Sequence, residues 1–152
     1  MNPDGNPVRA LVQVSAARSL QYLEEAHQLA PDDVDITEDL FGRYADLGQY
    51  ARALGLLDQL RSSTALYRAA RILQQGRPGV PRNDSLSLTL LQRAATLEVK
   101  THQQPDPPAL MALYGAVCRK AISKERIGPL FVPSRWQLFQ QFSVNCTYNP
   151  GG

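Results

Sequence analysis

The sequence predicts an all-α protein of stacked antiparallel helical hairpins, closed by a C-terminal capping helix. Apolar residues recur at spacings near three and four along most of the 152-residue chain. The breaks between those stretches hold proline, glycine and capping residues, as at Ala30-Pro31-Asp32-Asp33 and Gln75-Gly76-Arg77-Pro78-Gly79-Val80-Pro81. No stretch alternates apolar and polar residues cleanly enough, or with enough β-branched side chains, to demand a strand.

The elements follow in order. Residues 1–7 are turn formers and read as a disordered start. Leu11, Val14, Leu20, Leu23, Ala26 and Leu29 set the first helix from about Val8 to Leu29, ended by the proline at 31. Asp35 is the expected N-cap of the second, with Glu38 three residues on completing a capping-box-like pair. Ile36, Leu40, Phe41, Tyr44 and Leu47 form its apolar face, and Gly48 supplies the positive φ that ends it. A partner helix then carries Ala51, Ala53, Leu54, Leu57 and Leu60. So short a loop forces the pair to fold back antiparallel.

Ser62 or Ser63 starts a fourth helix through Leu66, Ala69, Ala70 and Leu73. After an insertion loop at about 76–84, Asp84 or Ser85 caps a fifth through Leu86, Leu88, Leu90, Leu91, Ala94, Ala95 and Leu97. His102 to Pro108 is a linker. A sixth helix uses Leu110, Met111, Leu113, Tyr114, Val117, Cys118 and Ala121, and a last one runs from Ser134 to about Phe142. Residues 8–126 thus read as one helical domain, and 127–152 as an aromatic-rich cap and tail.

Within this pattern, Leu40, Tyr44, Gly48, Tyr50, Ala53 and Leu57 place large, aromatic, turn and small residues where close helix packing needs them. Counted from Val34, that order resembles a tetratricopeptide (TPR) repeat, whose period is about 34 residues. Leu23, Ala26 and Pro31 match the end of a preceding unit in the same register. Phe41 and Leu60 depart from the pattern, each standing where the family favours a small residue. The reading is one good unit at 34–67, a partial one before it, and one or two degenerate ones after it.

The resemblance implies a groove lined by the first helix of each unit, holding a peptide or helix of another protein. On the good unit Asp35, Glu38, Asp39 and Asp46 would face it, and on the next Tyr67, Arg68 and Arg71. The acidic set also has a local reading, since carboxylates favour a helix N-terminus. Five of the eleven aromatic residues fall in the last 22 positions, so Trp136 and Phe139 read either as a packed terminal helix or as a docking element for a partner.

The net charge of +2 conceals a split, with ten acidic and four basic residues in 1–60 against four and twelve in 61–152. This allows two contact faces or head-to-tail self-association, and equally the chance segregation of solvated helix faces. Arg119, Lys120, Lys124 and Arg126 cluster at a helix C-terminus, where the dipole favours cations. No nucleic-acid motif accompanies them.

Cys118 reads as a buried small hydrophobe, with a bond to Cys146 as the alternative in an oxidising setting. Asn83-Asp84-Ser85 and Asn145-Cys146-Thr147 fit a glycosylation pattern, the first having a better reading as a helix cap. His27 and His102 lack ligand spacing, and no phosphate-binding loop occurs. We expect no cofactor, no metal site and no catalysis. No apolar run is long enough for a membrane span. Without a signal-like start, the cytosol is the default compartment. The expected function is an adaptor or chaperone that binds another protein. The alternative is a structural subunit or terminal module, possible as a homo-oligomer, that assembles through its acidic and basic halves.

Overall fold

The computed structural model describes residues 7–101, 107–142 and 146, with side chains from residue 18 onward. Eight α-helices run through them: α1 (Pro7–Leu29), α2 (Val34–Asp46), α3 (Tyr50–Leu54), α4 (Ser63–Gln75), α5 (Asp84–Thr101), α6 (Pro108–Cys118), α7 (Lys124–Ile127) and α8 (Pro133–Phe142). Short 3-10 turns occupy Leu57–Gln59 and Gly128–Leu130. The fold is all-α. Its one β-type feature among the described residues is an isolated bridge between Arg77 and Val80. The turn-rich start at 1–6 and the linker residues 102–106 lie outside the described residues. The helices fall into two compact units, residues 1–61 and 62–152.

In the first unit α1 packs on α2, and α2 on α3 and the 57–59 turn. Leu20, Leu40, Phe41, Tyr44, Ala45 and Ala53 are buried, whereas Leu29, expected on the apolar face of α1, is 88% exposed. The N-cap of α2 is Asp33 rather than Asp35: its extended backbone lets the carboxylate accept from Ile36 N–H at 3.1 Å. Glu38 completes no capping box. Its carboxylate accepts from the Arg61 backbone N–H at 2.7 Å instead. Gly48 takes φ +77°, the left-handed conformation its turn requires.

The partner helix is shorter than expected. α3 stops at Leu54, Gly55 caps it, and the chain tightens into the 57–59 turn. Glycine is a poor helix interior residue. Tightening the backbone there brings both Leu56 and Leu60 to buried positions.

In the second unit α4 and α5 make the most extensive helix pair, and α5 continues onto α6. Alanines make the close approach possible: Ala69, Ala70, Ala94, Ala95 and Ala109 are 0–1% exposed. The Ser87 hydroxyl donates to the Ala70 carbonyl at 2.7 Å across that contact, so the buried polar group is satisfied. Ser62 caps α4 through Ala65 N–H, as expected. Asn83, one residue before the expected position, caps α5 by accepting from Leu86 N–H at 3.0 Å.

The insertion is an ordered turn. Arg77 and Val80 exchange backbone hydrogen bonds at 2.9 and 2.8 Å around Pro78-Gly79, with Gly79 at φ +80°. Proline then glycine at the two central positions suits such a turn. Val80 tucks inward at 7% exposure.

The start of α6 is held by a side chain from α5. Glu98 is buried, and its two carboxylate oxygens accept from Ala109 N–H at 2.9 Å and Leu110 N–H at 3.0 Å. These donors are among the first-turn N–H groups that have no partner within their own helix. Glu98→Ala strands both in a buried site, and we expect a loss of about 2 kcal/mol, read as a lower urea midpoint with an unchanged slope.

Cys118 is not a free buried thiol. It is disulfide-bonded to Cys146, with Cα atoms 5.7 Å apart. The bond ties α6 to a residue that follows α8 in sequence. Tyr114 of α6 is fully buried and forms edge contacts with Phe131, Trp136 and Phe139 at centroid distances of 5.9, 5.6 and 5.8 Å.

Candidate functional site

A groove lies between helices in each unit, and the two linings differ in charge. In the first unit Tyr22, Leu23 and Ala26 of α1 face Glu38, Asp39, Gly42, Arg43 and Asp46 of α2 across a groove of about 830 Å³. α2 places the carboxylates there because positions 38, 39, 42 and 46 share one helical face. The groove holds arginine as well as acid: Arg18 lies at its edge, and the buried Arg43 Nε has no hydrogen-bond partner among the described residues. Near it, the Tyr44 hydroxyl donates to Glu24 at 2.8 Å and ties α2 to α1. Burial, then the Glu24 hydrogen bond and charge, hold the Tyr44 phenol above its usual 10.0.

In the second unit the groove is about 890 Å³. α4 contributes Tyr67, Arg71, Gln74 and Gln75 from one face. α6 contributes Met111, Ala112 and Ala116, with Arg119 just past its end, and Leu91 of α5 and Pro108 complete the lining. Arg82 enters from the segment before α5. Its guanidinium is engaged by Asp84 through bonds of 3.0 and 3.1 Å, and this pairing raises its pKa further. Arg71 donates to the Tyr67 hydroxyl at 2.9 Å and lies over that ring, 5.8 Å from its centroid. Arg71 and Arg119 are exposed, and neither has a carboxylate partner among the described residues.

The structure thus gathers Glu38, Asp39 and Asp46 into one groove and Tyr67 and Arg71 into the other. Asp35 lies outside the first, exposed in the first turn of α2, and Arg68 is not part of the second lining. Trp136 is 3% exposed, its ring spent on Tyr114 and on contacts with Phe131 and Phe139 at 5.4 Å; Phe139 is half-buried.

Sequence reasoning missed Arg82, Met111 and Arg119 as groove residues. Their local signal was present, since 108, 111, 112, 116 and 119 mark one face of α6. What the sequence lacked was any sign that this face lies beside Tyr67 and Arg71.

Among the described residues no group of three or more His, Cys, Asp and Glu side chains could hold a metal ion, and no helix is long and apolar enough to cross a membrane. No family model matches this chain, and no curated protein or solved structure is significantly similar to it.

Proposed function

We propose that the chain is a protein-interaction adaptor of TPR-like build that grips an acidic peptide or helix of a partner protein. The observation that carries this reading is the arginine groove of the second unit. It sets two guanidinium groups without carboxylate partners above an apolar floor of Leu91, Met111, Ala112 and Ala116. Arginine forks bind carboxylates with two parallel hydrogen bonds, and small floor residues let a bound backbone come close. The TPR register supports the reading, because it makes α4 and α6 the first helices of successive units, and both line the groove. A chaperone role is the same reading with an aggregation-prone segment as the ligand. The Cys118–Cys146 bond supports an oxidising compartment over the cytosol that the sequence suggested.

Panning a random peptide library on the full chain tests this. Selected peptides should share acidic residues beside a large apolar one. Arg71→Glu should weaken them roughly tenfold or more by fluorescence polarisation. Selection without a shared motif, or binding that Arg71→Glu leaves intact, overturns the reading.

A further inference from the structure

The boundary between the two compact units is also a boundary of charge. Residues 1–61 carry ten acidic side chains against five basic, and residues 62–152 four against eleven. On the acidic unit the strongest feature is the α1–α2 junction. Asp32 and Asp33 of the turn and Asp35 in the first turn of α2 are all exposed, and with them Leu29 at the end of α1 (88%) and Val34 at the start of α2 (40%). Proline at 31 and the Asp33 cap fix its shape. It is an acidic segment carrying one apolar side chain that is largely exposed, Leu29, and a second, Val34, that is partly so.

The groove of the basic unit has the complementary chemistry: Arg71 and Arg119 at the rim, with Leu91, Met111 and Pro108 beneath. We propose that this groove accepts the α1–α2 turn of a second copy of the chain, joining copies head to tail. Asp32 and Asp35 meet the arginines, and Leu29 and Val34 take the apolar floor. The contact is heterologous: each copy offers a turn on one unit and a groove on the other, so copies add in rings or open chains. This association occupies the groove that the adaptor reading gives to an acidic peptide, so a second copy and such a peptide compete for it.

Light scattering across concentration should show a mass that grows with protein concentration. Raising salt should weaken the association roughly tenfold, because exposed opposite charges are screened. The decisive measurement uses two variants. Leu29→Ala/Asp32→Ala/Asp35→Ala keeps the Asp33 cap and the groove but removes the turn's contacts. Arg71→Ala/Arg119→Ala keeps the turn and empties the rim. All five positions are exposed, and unchanged circular dichroism checks that both variants fold.

Each variant alone should be monomeric. Their mixture should form a species of two chains and no larger, since only one live turn and one live groove remain. A wild-type chain that is monomeric up to millimolar concentration overturns the proposal, as does a mixture that stays monomeric. Neither result touches the adaptor reading, which the selected peptides test separately. Acidic peptides that bind a monomeric chain would assign the groove to another protein instead.

Discussion

Breaking the Cys118–Cys146 disulfide is expected to destabilise the second unit by about 3.6 kcal/mol, the chain-entropy value for a closed loop of this size. The two cysteines are 28 positions apart, and the segment between them contains α7, α8 and the 128–130 turn. Without the bond the unfolded chain gains the freedom that the crosslink had removed. Cys118→Ser/Cys146→Ser and added reductant should give the same shift, and thiol titration of the untreated protein should find no free cysteine. The single tryptophan, Trp136, lies inside the closed segment, so its fluorescence follows this unit's urea unfolding directly. A double-serine variant with an unchanged midpoint would show that α8 is held by its aromatic contacts alone.

Truncating Tyr114 to alanine should cost about 4 kcal/mol, within the range for a buried aromatic. The ring sits among three others, and its hydroxyl works in both directions. It donates to the Leu130 carbonyl at 2.8 Å and accepts from Val132 N–H at 3.1 Å. Tyr114→Ala therefore removes ring packing and strands two backbone groups, which is enough to threaten a small unit of ordinary stability. Tyr114→Phe keeps the ring and should cost about 2 kcal/mol.

The same pair reports on pH. Burial raises the Tyr114 phenol above its usual 10.0, against the smaller lowering effects of the Val132 hydrogen bond and the Arg135 charge. A raised pKa means that the fold favours the neutral phenol. Its contribution is complete below pH 10.0 and is lost as pH rises toward the folded value. Tyr114→Phe should flatten that alkaline loss in the Trp136 signal. An alkaline limb as steep as wild type would place the loss elsewhere.

The helices were legible because their evidence is local. Gly48 ended α2, Ser62 began α4, and the Leu66-Ala69-Ala70-Leu73 spacing marked the buried face of α4, each within one or two turns of chain. Errors arose where two local signals competed or a distant partner decided. Asp33 and Asp35 are both good caps, and the extended backbone at Asp33 selected the first. Glu38 was claimed by Arg61, far along the chain. The break at Gly55 is hidden in the sequence because Leu57 and Leu60 keep the helical spacing across it. Of the groove, Tyr67 and Arg71 were readable from α4 alone. Arg82 and Arg119 join them only through tertiary packing, which no periodicity encodes. The disulfide was open on the same grounds, since two cysteines in unlike surroundings give no sign of their distance.

Glu98 also bears on how the chain could be rewired. By capping α6 from α5, it ties the start of one helix to a side chain of the other. We expect changes in the length and composition of segment 102–106 to leave the start of α6 in place. A longer segment, a grafted epitope or a protease site placed there meets a junction already closed by a carboxylate. After a single cut, both ends would still have their register specified. The second unit is in that sense a natural place to open the chain and create new termini.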